Sequence, residues 1–272
     1  MAVSENEIQF FTEALNLQEE LPEDSDAPDF DAMAYVLVST YYGSGPEAFA
    51  EEVEEHRAQL KIACKLSEKL ERIVLIGLQM GIDVGDGACA SELGALYYAG
   101  DIVEQSYQKA AEYYELAAQA GYAQAMINLG YIYEYGRLGE ADPHKAYMYY
   151  SFAATVYGST EALYKMGDLF ASGRGVDENK KAALTLWQQA LDNAADPENK
   201  GQAAFRIAQM LVDRGACAEL GIEFDPLMAL QLFQTAEIGL RISVQQGLTY
   251  YEKRLQEAID GQQKARELLE RT

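Results

Sequence analysis

The residues of this chain best equipped for chemistry lie in short sets spaced four, three and four apart. One set is Gln124, Asn128, Tyr131 and Tyr135; a second is Glu161, Lys165, Asp168 and Ser172; a third is Gln202, Arg206, Gln209 and Asp213. On an α-helix these spacings bring each set to one face. The chemistry they offer is recognition. Tyr131 and Tyr135 are apolar bodies with a polar tip, suited to anchor a partner. Asn128 can hold a peptide backbone, and Lys165 and Arg206 can take a carboxylate, with Asp168 and Gln209 on the same faces.

Motifs for bond-breaking are missing. Cys64, Cys89 and Cys217 are an odd number at wide spacings, without the C-x-x-C pair of a zinc or redox site. His56 and His144 have no cysteine or paired acid at metal-binding distance in the sequence, and read as surface histidines. Gly43-Ser44-Gly45 runs into a proline and lacks the last glycine of a dinucleotide loop. The stretch from Asp83 to Gly87 lacks the alternating acids of a calcium loop. Gly173-Arg174-Gly175 lacks the Gly-Lys-Ser/Thr ending of a phosphate loop. No catalytic residue, cofactor or metal is expected; a site assembled from distant residues is the least favoured alternative. Trp187 is tempting as a ligand platform, but it occupies a recurring apolar position and reads as core.

What must position the three sets is a tandem repeat. Residues 87–121 laid on 123–157, an offset of 36, give eleven identities, among them Leu93/Leu129, Gly94/Gly130, Tyr97/Tyr133, Gly100/Gly136 and Tyr114/Tyr150. A third copy follows at an offset of 37, with Met166-Gly167, Gly173, Ala183 and Trp187, and a weaker fourth has Ala208, Ala229 and Phe233. Each copy reads as two helices, the first over 88–99, 124–135, 161–172 and 202–214. The glycine after the leucine lets a neighbouring helix approach the backbone, which offsets its cost of about 1 kcal/mol inside a helix. Gly100, Gly136 and Gly173 end the first helices as positive-φ residues. The second helices start after Ser106, Asp142 and Asp225, capping side chains that in two copies precede a proline. The expected fold is all-α, built of stacked helix–turn–helix repeats.

The pattern A-x-x-x-L-G-x-x-Y-x-x-G, then K-A-x-x-Y-Y-x-x-A-A, stands here at 125–136 and 145–154. It resembles the Sel-1-like repeat family, a relative of the tetratricopeptide repeats, over about residues 87–240. The resemblance implies a right-handed α/α superhelix (solenoid), a role in protein–protein interaction and no reaction. It also implies that the first helices line a concave groove. Asn128, Tyr131, Tyr135, Lys165, Asp168, Arg206 and Gln209 would then face a bound peptide or partner helix. The fourth copy departs from the pattern, since it lacks the Leu-Gly glycine and has a longer inter-helix loop at 215–225.

Three regions are expected: an N-terminal helical region 1–86 with a capping role and a degenerate half-repeat at 31–45, repeats over 87–244, and a capping helix in 245–272. Ser4 and Glu7 form a capping-box pattern for a helix over 5–18. Residues 19–31 read as an acidic loop, and Pro46 to Met80 as one long helix or two.

Net charge is −23, and residues 1–56 hold 15 acids with no lysine or arginine. A field of this sign repels nucleic acid and anionic membrane surfaces. It also supplies a second functional reading, an acidic decoy or inhibitor of a basic, nucleic-acid-binding protein. No run reaches the roughly 18 apolar residues of a membrane span, and the N-terminus lacks the basic and apolar stretches of a signal peptide. The expectation is a cytoplasmic scaffold or adaptor; its partner and oligomeric state are not legible in the sequence.

Overall fold

The computed structural model describes residues 2–14 and 29–271. The continuation of the first helix to residue 18 and most of the loop expected at 19–31 lie outside them. Among the described residues every regular element is helical. The chain divides into two compact units, Met1–Ala141 and Asp142–Thr272. That division falls inside the repeat array rather than at either boundary expected from the sequence.

In the first unit, α1 (Glu5–Glu13) opens on the Ser4–Glu7 capping box with both hydrogen bonds present. α2 (Phe30–Ser44), α3 (Pro46–Glu55), α4 (Arg57–Ala63) and α5 (Glu68–Asp83) follow. The stretch expected to form one or two helices therefore forms three. His56 leaves helical geometry at φ −101° between α3 and α4, and the Ser67 hydroxyl accepts from the Leu70 N–H to start α5. α6 (Gly87–Ala99) and α7 (Tyr107–Gln119) make the first repeat hairpin, and α8 (Ala123–Glu134) begins the second. Phe11, Phe49, Leu70, Ile73, Leu78 and Leu96 are fully buried in this unit's core. Ser39 of α2, at the place Gly94 holds in a repeat, is exposed, so α2 does not reproduce that crossing.

The second unit holds α9 (Pro143–Tyr157), α10 (Thr160–Ser172), α11 (Lys180–Asn193), α12 (Pro197–Leu211), α13 (Arg214–Leu220), α14 (Pro226–Gln245) and α15 (Glu252–Glu270), with a 3-10 turn at Thr249–Tyr251. α10 and α11 form one hairpin, α12 and α14 another, and α15 lies along α14. Most of the loop expected at 215–225 is the helix α13, whose start Asp213 caps by accepting from the Gly215 and Ala216 N–H groups. Trp187, Phe205, Phe233 and Leu240 are buried in this unit's core, Trp187 as its repeat position required.

The start and stop signals are used as expected. Ser106, Asp142 and Asp225 accept from the N–H groups of Lys109, Lys145 and Met228 at 3.3, 2.9 and 2.8 Å, caps worth about 1 kcal/mol each. Gly100, Gly136 and Gly173 have φ of +70°, +62° and +65°. The residue after each donates back into the helix, Asp101 to Leu96, Arg137 to Ile132 and Arg174 to Leu169. This closure requires a left-handed residue before the donor. The close crossings are also present. A Cβ on Gly94 would lie 2.8 Å from the Tyr114 ring, and one on Gly167 would collide with the Trp187 indole. The fourth copy solves the same problem elsewhere: Ala208 is buried, and a Cβ on Gly201 of α12 would lie 3.0 Å from the Gly239 Cα of α14. The repeat comparison does not single out that pair.

Candidate functional site

In the first unit, the end of α8 and the turn after it assemble a ledge of aromatic rings. The Tyr131 and Tyr135 rings are stacked, with centroids 6.0 Å apart and planes 9° from parallel. Tyr135 is 51% exposed. Two residues beyond it, after the helix-ending Gly136, the Arg137 guanidinium lies 5.3 Å over the Tyr107 ring and hydrogen-bonds to the Tyr98 hydroxyl. Tyr98 and Tyr107 meet edge-on at 5.1 Å. Asn128, one turn earlier on α8, is half-buried and hydrogen-bonds with the Tyr114 side chain. Sequence spacing found Asn128, Tyr131 and Tyr135. It missed Tyr98, Tyr107 and Arg137, because the first ends α6, the second starts α7, and the third lies in a turn. The available signal was the left-handed glycine, which fixes the course of the backbone entering the next residue.

The second position of the repeat stripe, occupied by Glu92, Asn128, Lys165 and Arg206, turns inward. Glu92, Lys165 and Arg206 are buried, with relative exposures of 5%, 5% and 8%. In the first unit, the Arg57 guanidinium at the start of α4 grips both oxygens of Glu92. Burial pushes the Glu92 carboxyl up to about 7 against the pull of Arg57, and Glu54 and Asp101 add to the rise.

In the second unit, Asp168 receives Arg206 in fork geometry, Nε to Oδ1 at 2.5 Å and Nη2 to Oδ2 at 2.6 Å. The Trp187 indole N–H donates to the same Oδ1 at 3.2 Å and to the Tyr164 carbonyl at 3.2 Å. Burial works to raise the Asp168 carboxyl. The charge of Arg206, its hydrogen bonds and the nearby Lys165 and Arg254 outweigh that and hold it below the usual aspartate range. Lys165 places its ammonium 5.8 Å from the centre of the Tyr150 ring. Gln209 is exposed on α12. The expectation placed Arg206 against a partner's carboxylate; in the structure its guanidinium is occupied by Asp168 of its own chain, on α10 one repeat earlier. Among the described residues no group of three His, Cys, Asp or Glu could hold a metal ion, and no helix is long and apolar enough to cross a membrane.

Comparison with known proteins places this geometry in context. The Sel1 repeat description matches residues 87–122, 123–155 and 160–194, leaving out the divergent fourth copy. An 84-residue stretch is 40% identical to the alginate biosynthesis protein AlgK of Azotobacter vinelandii, covering 31% of this chain and 18% of that protein. A 69-residue stretch is 41% identical to the ERAD-associated E3 ubiquitin-protein ligase component HRD3B of Arabidopsis thaliana, covering 25% of this chain and 11% of that one. The chain thus spans less than a fifth of the length of these relatives. Among solved structures, a Sel1 repeat protein from Oxalobacter formigenes superposes with a TM-score of 0.54 over 79% of this chain and 90% of its own, at 20% identity. At that identity the likeness speaks for the helical-repeat fold.

Proposed function

Residues 87–122, 123–155 and 160–194 are three Sel1 repeats, and on that premise we propose that the chain is a non-catalytic interaction scaffold. It holds a peptide or a partner helix against the ledge of Tyr98, Tyr107, Tyr131, Tyr135 and Arg137. Sel1 repeat proteins generally mediate contacts between proteins, and HRD3B is by name a component of a ubiquitin-ligase assembly. The observation that carries the reading is the ledge itself. Tyrosine and arginine are the residue types that dominate binding energy at protein interfaces. Here the rings are already ordered by stacking and by the guanidinium, so little side-chain entropy is left to lose on binding. The test is affinity purification with the wild-type chain and with Tyr131→Ala plus Tyr135→Ala, followed by reconstitution of the recovered partner from purified components. Loss of that partner in the double variant is expected; undiminished binding moves the site elsewhere.

Charge favours a second reading. Residues 1–141 hold 26 of the 44 acids and only 7 of the 21 bases, so a decoy that covers a basic surface would use the first unit. Its binding would fall steeply with added salt, since the Debye length shortens from about 10 Å at 0.1 M to 3 Å at 1 M, and would be lost on deleting residues 1–30. Salt-indifferent binding that survives the deletion excludes it. Cytoplasmic residence belongs to the same proposal, supported by three free, buried cysteines, and subcellular fractionation checks it.

A further inference from the structure

Two arginines of the second unit converge on one amide oxygen. Arg206 reaches Gln202 Oε1 at 3.2 Å and Arg254, from α15, reaches it at 2.7 Å. Gln202 is itself buried. Only Arg206 has a carboxylate, that of Asp168. Arg254 is half-buried and has no carboxylate within ion-pair distance among the described residues, in a chain with 44 acids. Its guanidinium is oriented by the amide and flanked by the Phe205 and Tyr251 rings, 5.7 and 5.8 Å from their centroids. Tyr250 packs on Tyr251 at 4.4 Å and is 70% exposed. Glu161 bears on the Tyr251 ring from α10, so the neighbourhood contains Lys165, Arg206 and Arg254 against Asp168 and Glu161. Two like charges sharing one acceptor in a partly dehydrated place repel each other, and an anion from outside relieves that repulsion.

We propose that Arg254, held by Gln202 beside Tyr250 and Tyr251, receives the carboxylate of a peptide ligand carrying an adjacent apolar side chain. A guanidinium fork matches the planar carboxylate, and its charge-assisted hydrogen bonds are the strong ones. A singly charged carboxylate suits a protein of net charge −23 better than a phosphate dianion does, because the long-range field opposes each added negative charge. The exposed Tyr250 ring supplies the apolar contact. This site lies within the second unit and does not depend on the ledge of the first, so its failure leaves the ledge reading standing.

The test is titration of the 272-residue chain at 0.15 M salt, following by NMR the Arg254 Nε–H resonance in the wild type and the backbone amides of residues 250–254 in the wild type and every variant. Four probes are used: N-acetyl-phenylalanine, with a free chain terminus; N-acetyl-glutamyl-phenylalaninamide, with a side-chain carboxylate; N-acetyl-phenylalaninamide, with none; and inorganic phosphate. A saturable shift with one or both carboxylate probes is expected, and the stronger of them identifies a terminus or a side chain as the natural source. Arg254→Gln should weaken that binding about tenfold or more. Tyr250→Ala, which removes an exposed ring, should weaken it by a smaller factor, and Arg266→Gln on the same helix should leave it unchanged. The proposal is overturned by no shift, by an equal response to the uncharged probe, by tighter binding of phosphate, or by wild-type affinity in Arg254→Gln.

Discussion

Among the described residues each unit of the molecule buries an arginine–carboxylate pair whose acid stands on the same repeat face, and the two pairs behave oppositely. Asp168 sits among donors: both arms of Arg206, the Trp187 indole N–H, and the charges of Lys165 and Arg254. Its carboxyl is held low. Glu92 has Arg57 on one side and the acids Glu54 and Asp101 nearby, and its carboxyl is pushed up to about 7. The difference teaches that burial alone does not set the charge of a repeat-face acid. The count of donors and cations around it does, and that count depends on helices outside the repeat that holds the acid.

Removing one member from each pair should separate them most clearly. Asp168→Ala leaves Arg206 buried without its counter-ion, and arginine cannot shed its proton, so a loss of about 3–5 kcal/mol is expected. Trp187 is the chain's single tryptophan and touches Asp168 directly, so its fluorescence during urea unfolding reports on this unit. Arg57→Ala strands Glu92 instead, but that carboxyl can neutralise itself. A loss of about 2–3 kcal/mol is expected at pH 8 and only about 1 kcal/mol at pH 5.5, read from hydrogen exchange of the α6 amides. Equal losses for the two variants at both pH values would erase the distinction.

The pH dependence of the intact pairs is a smaller effect of opposite sign. Glu92 binds its proton more tightly folded than unfolded, so its contribution is fully present below the ordinary value of 4.5 and is lost as pH rises through about 7. Asp168 binds its proton less tightly folded, so its contribution is present above the ordinary 3.8 and is lost as pH falls through its lowered value. Glu92→Gln should flatten the decline of first-unit stability between pH 5 and 8, by about 1–2 kcal/mol over that range. An unchanged slope would place the titrating group elsewhere. The smallest effect concerns Tyr135→Ala. With half its surface exposed, its removal should shift stability by less than about 1 kcal/mol, while the ledge loses its outer ring.

Local signals in the sequence account for most of the framework. Ser4, Ser106, Asp142 and Asp225 cap, Gly100, Gly136 and Gly173 terminate, and Gly94 and Gly167 admit Tyr114 and Trp187. Each acts within a few residues or recurs at the repeat period, so spacing exposes it. What spacing hides is contact across different elements. Arg57 lies 35 residues from Glu92 and Arg206 lies 38 from Asp168. Residues that vary between copies therefore look solvated, although three of the four at one position are buried. The Gly201–Gly239 crossing escapes because Gly201 repeats Gly87 of the first copy while Gly239 has no glycine counterpart, so the pair does not recur, and α13 escapes because a seven-residue helix carries too few turns to show a period.

The most direct test of the scaffold reading is site-specific photo-crosslinking in the native cell, with a benzophenone amino acid replacing Tyr135 in one variant and the exposed Gln188 in another. A discrete adduct with another protein from position 135, absent from position 188 and abolished by adding Arg137→Ala, is the expected result. No adduct at position 135, or the same adduct from both positions, would contradict the claim that this ledge receives a partner.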